Sequence, residues 1–485
     1  MGVIYQNYAN DLPKFAPKIN VLALIKSISG IRGTIGGKAD EGLTPIDVVK
    51  YTAAFGSWVT EQSNINKIVV GRDGRMSGEI VRNLVVSTLQ SLGIEVIDLG
   101  LSTTPTVEMA VKMENAGGGI IITASHNPKE WNALKLLNKE GEFISGSDGE
   151  AVLSKGNQAD FIFADVNKLG HVVLDDSYMD KHTQAILNHP LVDANAIASK
   201  NFKIIVDAIN STGATFVPYL LEKLGVKNIE VLNAEVTGKF AHNPEPLPEN
   251  LNEIASVVVK QKADLGIVVD PDVDRLCFVC EDGSFFGEEY TLVSIADYIL
   301  MNKKGGNTVS NMSSTRALKD VTLKHGGEYF ASAVGEVNVV NRMKEKNAVI
   351  GGEGNGGVII PELHYGRDSL IGIALFLTHL AKYDKPVSDL RRTYPNYYMS
   401  KNKIELTEGI DIKHIFTGIQ EKYKHQPINT EDGLKIDFDN EWVHLRTSNT
   451  EPIIRIYTES TSETTANNIA KKIMMDISEL MKETH

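Results

Sequence analysis

From Leu22 to about Ser145 the hydrophobic positions fall into two alternating kinds of segment. Short apolar runs without a polar face read as buried strands, and longer segments with apolar residues three and four apart read as helices. LALIKSIS is a predicted strand. Thr44-Pro45 supplies an N-cap and a Pro at the first helical position, opening a helix to about Gln62. KIVVGRD predicts a second strand, SGEIVRNLVVSTLQSLG a helix closed by Gly93, and EVIDLG a third strand. A helix from Thr104-Pro105 to about Asn115 leads into GGGIIITAS, a fourth and almost wholly apolar strand. Such strands separated by helices indicate a parallel sheet covered on both sides.

The alternation recurs twice. FKIIVDAINSTG, ATFVPYLLEKLG, NIEVLNAE, ENLNEIASVVVKQK and ADLGIVVDPD form a second set. NTVSNMSS, TRALKDVTLKHGG, EYFASAV, EVNVVNRMKEK and NAVIGGEG form a third. Three units of about 100 residues each suggest structural triplication, although they share little sequence identity. TYPNYYMS near 393–400 reads as a linker. After it, LKIDFD, EWVHLRTSN and IIRIYTE are strand candidates joined by short turns, and Ile469, Ile473, Ile477 and Leu480 mark one face of a terminal helix. The expected class is α/β, with three related α/β domains of mixed, mainly parallel sheets and a C-terminal α+β domain. The expected boundaries are an N-terminal extension at 1–21 and domains at 22–170, 171–284, 285–395 and 396–485.

Composition narrows the function. The 485 residues are 42% hydrophobic and 23% charged, which excludes wholesale disorder. Lys plus Arg total 49 against 62 Asp plus Glu, a net charge of -13, which argues against a general nucleic-acid binder. An anionic small molecule remains compatible where a few Arg and Lys converge. No apolar run approaches the roughly 18 residues needed to span a bilayer. The opening MGVIYQNYANDLPKFAPKIN lacks a signal pattern, and two cysteines fit a reducing compartment, so a cytoplasmic location without membrane partners is expected.

TASHNP, Thr123 to Pro128, is the sharpest candidate for chemistry. It follows an apolar strand, so Ser125 and His126 stand at the carboxyl edge of a sheet, where open α/β folds bind ligands. Adjacent Ser and His seldom present nucleophile and base to each other, and no G-x-S-x-G elbow surrounds Ser125. A serine that accepts a phosphoryl group fits better, with Lys135 in WNALK one possible acid/base.

DPDVDR, Asp270 to Arg275, follows LGIVV. Asp270, Asp272 and Asp274 repel one another unless a cation joins them. Along an ideal strand they would stand about 6.6 Å apart per step, so Pro271 must turn the chain for them to converge. Oxygen-only ligands point to Mg²⁺. An EF-hand is rejected, because Arg275 stands where glycine is needed and apolar strand follows. A haloacid-dehalogenase-type phosphatase would explain this segment but leaves TASHNP without a role.

GGEGNGG, Gly351 to Gly357, contains G-x-G-x-x-G, but VIIPELHY with Pro361 cannot supply the helix a dinucleotide site requires. Small residues there would let a ligand approach, with Glu353 and Asn355 binding sugar hydroxyls. RTSNTEPIIR places Arg446 and Arg455 around Ser448, Asn449 and Thr450, an anion cradle suited to phosphate. SGIRGTIGG, Ser29 to Gly37, is an exposed loop by composition from which Arg32 could reach an anion. GTIGGK lacks the Walker pattern. Cys277 and Cys280 lie on opposite faces of a strand, and the twelve histidines show no H-x-x-x-H spacing.

Taken together, TASHNP, DPDVDR, GEGNGG and RTSNTEP, with SGIRG and HNPEPLPENL (His242 to Leu251), resemble the α-D-phosphohexomutase superfamily, which includes phosphoglucomutase, phosphomannomutase and phosphoglucosamine mutase. The resemblance covers the chain from about Leu22 onward. It implies four domains around a cleft, Ser125 carried as phosphoserine, and Mg²⁺ bound by Asp270, Asp272, Asp274 and that phosphate. It implies Lys135 as acid/base with Arg32 and His126 nearby, and Glu353 on a sugar hydroxyl. Arg275 and Asn355 are further expected substrate contacts. Arg446, Ser448, Asn449, Thr450 and Arg455 would hold the non-reacting phosphate. Asn355 stands where many members carry Ser, and Gly357 where many carry His. Thr447 and Asn449 replace the usual Pro and Gly. The implied activity interconverts hexose 1- and 6-phosphates through a hexose 1,6-bisphosphate that also serves as activator. SGIRGTIGG is similar to the glucosamine branch. Sugar phosphates are the expected partners, and the expected state is monomer or homodimer. A phosphatase and a non-catalytic sugar-phosphate sensor are the rival readings.

Overall fold

The structure is a computed structural model that describes residues 23–27, 30–406, 410–447 and 453–483; the expected extension at 1–21 lies outside them. The first sheet comprises β1 (Leu24–Ser27), β2 (Gly30–Thr34), β3 (Lys67–Arg72), β4 (Glu95–Leu101), β5 (Gly118–Ile122), β6 (Trp131–Leu137) and β7 (Val172–Leu174), in the order β1-β2-β6-β5-β3-β4-β7. Its last strand thus lies beyond residue 170. β3 is parallel to β4 and β5, and β6 pairs antiparallel with β5.

The second sheet contains β8 (Lys203–Asp207), β9 (Asn228–Leu232), β10 (Leu265–Val269) and β11 (Leu276–Cys280). The third contains β12 (Asn307–Asn311), β13 (Tyr329–Ser332), β14 (Ala348–Glu353) and β15 (Gly357–Ile359). In both, the first strand is flanked by two parallel partners, and a fourth strand returns antiparallel on the third. The unit β4-β3-β5-β6 of the first sheet repeats as β9-β8-β10-β11 and β13-β12-β14-β15. The triplication is therefore one of topology. In every copy the hairpin from third to fourth strand leaves the carboxyl edge of the parallel strands. These three hairpins carry TASHNP, DPDVDR and GEGNG.

Two strands depart from expectation. SGIRGTIGG is not an exposed loop at its centre: residues 30–34 form β2, between β1 and β6. Gly30, at φ 121°, sits where a Cβ would come 2.1 Å from the Leu134 carbonyl oxygen, so glycine content here reflects tight strand packing. β6 lies outside the expected elements too, and its antiparallel pairing makes the sheet mixed.

TYPNYYMS is also more than a linker. Tyr394 is buried, the Tyr290 hydroxyl donates to the Pro395 carbonyl at 2.8 Å, and the Tyr397 hydroxyl donates to Asp320 at 2.6 Å. Its end enters β16 (Tyr398–Glu405), which joins β17 (Ile428–Asn429), β18 (Leu434–Asp437), β19 (Trp442–Thr447) and β20 (Ile453–Ser460) in the order β16-β20-β19-β18-β17. The terminal helix Glu463–Glu483 covers this sheet, burying Ile473 and Ile477.

One helix ties the middle of the molecule together. Ser369–Tyr383 (SLIGIALFLTHLAKY) is buried from Ser369 through Ala381, so it is apolar all round and runs through the core rather than over it. It shares one cluster with Ile204 and Ile267 of the second sheet and Ile350 of the third. Asp368 caps it, accepting from Leu370 N and Ile371 N. The fourth sheet docks on the third through the Lys435 ammonium, which donates to Met312 O at 2.8 Å, and through Ser313 Oγ, 2.8 Å from His444 Nδ1.

Candidate active site

The serine hairpin is held by groups from three places. Ser125 is buried and adopts φ 46°, a left-handed conformation costly for a residue with a Cβ. Its amide donates to Thr123 Oγ1 at 2.9 Å, and its hydroxyl donates to Asp270 Oδ2 at 2.6 Å. Arg75 supplies the rest: one guanidinium donates to the carbonyls of Ser125 (2.6 Å), Asn127 (2.7 Å), Pro128 (2.7 Å) and Trp131 (2.8 Å). Asp73, fully buried, receives Arg75 Nε at 3.1 Å and Thr123 Oγ1 at 2.6 Å. Breaking such a buried pair from one side costs about 3–5 kcal/mol.

The second hairpin turns as the spacing requires. Val273 has φ 61°, an outlier for a β-branched residue, and Asp270 Oδ1 accepts from Asp274 N and Arg275 N, each at 3.1 Å. One oxygen each from Asp270, Asp272 and Asp274 can be chosen so that all lie within 4.8 Å of one another. All three side chains are buried, and Asp272 Oδ1 and Asp274 Oδ1 have no hydrogen-bond partner among the described residues. Orphaned buried carboxylate oxygens of this kind are what a hard dication would satisfy, so the triad fits Mg²⁺. Burial and the neighbouring carboxylates push Asp270 well above the ordinary carboxylate range. Burial works the same way on Asp274, but Arg367, Lys135 and Arg275 outweigh it and hold this carboxyl low.

Lys135 lies on β6, beside the serine. Its ammonium donates to Asp272 Oδ2 at 2.7 Å and Asp274 Oδ2 at 3.2 Å. Burial opposes its charge, but the two carboxylates outweigh that and hold it above the ordinary lysine range. This is opposite to the lowering that an acid/base role calls for, because the partners are anions. Arg32 pairs across β2–β6 with Ala133, which puts it on the same sheet face as Lys135. Burial lowers its pKa, and its Nε has no partner among the described residues. His126 faces the cleft, and burial first, then Arg275, push its pKa down to about 2, so its imidazole is neutral.

A cavity of about 220 Å³ opens between the hairpins and the fourth sheet, lined by His126, Arg275, Glu353, Asn355, Arg446 and Arg455 among the expected residues. Glu353 accepts from Asn311 Nδ2 (2.8 Å), Gly335 N (3.1 Å) and Arg367 Nη1 (3.0 Å). Asn355 Oδ1 accepts from Gly357 N at 3.2 Å, closing the glycine turn. Arg275 donates to Glu245 Oε1 of the HNPEP segment at 3.0 Å. Arg446 Nε donates to Asp432 at 3.1 Å, and Asp432 also accepts from Val334 N at 2.9 Å. Ser448, Asn449 and Thr450 lie outside the described residues.

Sequence reasoning missed four of these residues. Arg75 is one, although KIVV-GRDGR carried a signal: a basic residue just past the carboxyl end of a parallel strand. Arg367 is another, joining Asp274 Oδ2 (2.7 Å), Glu353 Oε2 (3.0 Å) and Glu336 Oε2 (2.9 Å). Thr104 donates to Asp272 Oδ2 at 2.6 Å from the start of helix Thr104–Met113. Asp432 belongs to a hairpin turn with nothing unusual in its local sequence.

Three topologically equivalent hairpins, one with a buried serine and one with a metal-competent carboxylate triad, thus meet the fourth sheet around one cavity. The chain belongs to the phosphoglucomutase/phosphomannomutase family. The models of alpha/beta/alpha domains I, II and III match residues 24–162, 176–283 and 287–397, and that of the C-terminal domain matches 403–475. It is 38% identical to a phosphoglucomutase/phosphomannomutase of Thermococcus kodakarensis, over 89% of this chain and 94% of that one. It is 33% identical to a phosphoglucosamine/phosphogalactosamine mutase of Sulfurisphaera tokodaii, over 92% and 97%. The crystal structure of a Burkholderia thailandensis phosphoglucomutase/phosphomannomutase family protein superposes with a TM-score of 0.80 at 25% identity, covering 94% and 96%. No helix among the described residues is long and apolar enough to cross a membrane.

Proposed function

We propose that the chain interconverts the 1- and 6-phosphates of a hexose, with glucosamine phosphate its preferred substrate. The observation that carries the transfer is the 2.6 Å contact between Ser125 Oγ and Asp270 of the carboxylate triad. In this reading Ser125 is carried as phosphoserine, and Asp270, Asp272 and Asp274 hold Mg²⁺. Mg²⁺ bound there would neutralise phosphoryl oxygens and take over the carboxylates that hold Lys135.

The free sugar hydroxyl attacks phosphorus and the P–Oγ bond to Ser125 breaks, with the electron pair staying on Oγ. Once Asp272 and Asp274, the carboxylates that raise its pKa, are drawn away, Lys135 loses its ammonium proton to solvent and as a neutral amine accepts the hydroxyl proton. Arg32 faces the same space as a fixed positive charge. His126, neutral, contributes a hydrogen bond. The bisphosphate reorients, the second phosphoryl passes to Ser125, and Lys135 returns its proton. Arg446 and Arg455, with Ser448, Asn449 and Thr450, grip the idle phosphate, while Glu353, Asn355 and Arg275 position the sugar.

Glucosamine is favoured by the cavity wall. Glu245 and Glu353 line it, and an amino sugar brings an ammonium that such carboxylates stabilise. Glucose or mannose phosphate is the second reading, favoured by the 38% identity to the Thermococcus relative. A mutase panel with Mg²⁺, trace hexose 1,6-bisphosphate and the 1-phosphates of glucosamine, glucose and mannose tests both. Conversion to a 6-phosphate, abolished in Ser125→Ala, is the expected result. Steady release of phosphate without isomer would make the protein a phosphatase, and no turnover of any of the three would make it a sensor.

A further inference from the structure

Directly after Arg367, the Asp368 carboxylate meets two buried imidazoles. His182, from helix Tyr178–Leu187, places Nε2 3.0 Å from Asp368 Oδ2, and His364 places Nε2 3.2 Å from the same oxygen. One donor atom from each of the three residues can be chosen so that all lie within 4.8 Å of one another. Relative exposures are 1% for His182, 7% for His364 and 0% for Asp368.

The outer nitrogens are occupied in a particular way. His182 Nδ1 lies 2.9 Å from Thr106 Oγ1. His364 Nδ1 faces Glu108 Oε2 at 3.4 Å without making a hydrogen bond, so among the described residues His364 Nδ1 and both Glu108 oxygens are buried and unpartnered. Gly366 packs against this carboxylate: a Cβ there would come 1.9 Å from Glu108 Oε2.

We propose that His182, His364 and Asp368 bind a zinc-class dication, separate from the carboxylate triad. A metal-bound imidazole gives its Nε2 lone pair to the ion and carries its proton on Nδ1, which then needs an acceptor behind it. Thr106 Oγ1 and the orphaned Glu108 stand at those two places. The 3.0 and 3.2 Å separations approach the roughly 3.3 Å edge of a tetrahedron with metal–ligand bonds of about 2.0 Å. Two nitrogens and one oxygen select Zn²⁺ or Co²⁺ over Mg²⁺, whereas the all-oxygen triad selects the reverse. The ion would tie helix Tyr178–Leu187 to the cap of helix Ser369–Tyr383, with Thr106 and Glu108 of helix Thr104–Met113 behind it. Its role is to hold the segment that presents Arg367 to Asp274.

The test strips the full chain with EDTA and reloads it with Co²⁺ in millimolar Mg²⁺, which occupies the triad. Expected is one retained Co²⁺ per chain after gel filtration, with visible ligand-field bands of a low-coordinate site. Asp272→Asn keeps this Co²⁺, while His182→Gln and His364→Asn each lose it. Thr106→Val removes no ligand but weakens retention about 10–100-fold. Zn²⁺ raises the melting temperature of wild type and not of His182→Gln. No retained Co²⁺, retention unchanged in both histidine variants, or loss in Asp272→Asn would each overturn the proposal.

Discussion

Arg75 Nη2 donates to the carbonyl of Ser125 at 2.6 Å, so the position of the serine is set by a residue fifty places earlier in the chain. The same guanidinium reaches three further carbonyls of the hairpin, and Asp73 fixes it from behind. Such a clamp supplies what the left-handed backbone at Ser125 requires, an environment that over-determines it.

Replacing Arg75 by Met leaves Asp73 buried without its counter-charge and frees the hairpin. Stability should fall by about 3–5 kcal/mol, and transfer should be lost even in protein refolded at low temperature. Chemical denaturation and turnover measured together check this. A variant with normal turnover would show that the clamp is dispensable.

Asp272→Asn removes one of three mutually repelling carboxylates and a partner of Lys135. The melting temperature should hold or rise, while Mg²⁺-dependent turnover falls by about two to three orders of magnitude. Ordinary Mg²⁺-dependent rates in this variant would sink the metal assignment.

If Arg446 grips the idle phosphate as proposed, Arg446→Ala removes a charged contact there but nothing at the transferring one. KM should rise about tenfold or more, with kcat little changed. Asp432→Asn, which loosens Arg446, should move KM in the same direction by less. An unchanged KM in both would remove the cradle from the mechanism.

Glu289 gives a pH signature. Burial raises its carboxyl from an ordinary 4.5 to about 8 in the folded chain. The folded state therefore binds a proton that the unfolded state releases, so this contribution is complete below pH 4.5 and lost as pH rises towards 8. Over that window wild type should lose up to about 5 kcal/mol from this group, and Glu289→Gln should flatten the slope. Parallel denaturation curves for the two proteins at each pH would contradict it.

Much of the fold was legible because its strands are buried on both faces and its helices open on Thr-Pro pairs, Thr44-Pro45 and Thr104-Pro105, although the second cap falls one residue earlier, at Thr103. β2 and β6 were not, since GIRGT and WNALKLL lack both an alternating and a wholly apolar pattern. Their burial comes from pairing with each other and with β5. Ser125 and the aspartates announced themselves because carboxylates and a serine after apolar strands have little structural reason to be there. Arg75 and Arg367 were hidden for the opposite reason: an arginine in a loop looks solvated until tertiary structure brings carbonyls and carboxylates around it. The charge state of Lys135 was not legible for the same cause, since its partners come from a segment more than a hundred residues away.

Dividing the chemistry among three equivalent hairpins also orders it in time. A chain emerging from the ribosome presents Ser125 long before Asp270, Glu353 or Arg446 has been translated. On the proposed mechanism the nucleophile is thus made early and equipped late, and a chain released short of its last sheet would hold Ser125 and the sugar contacts without the arginines that grip the idle phosphate.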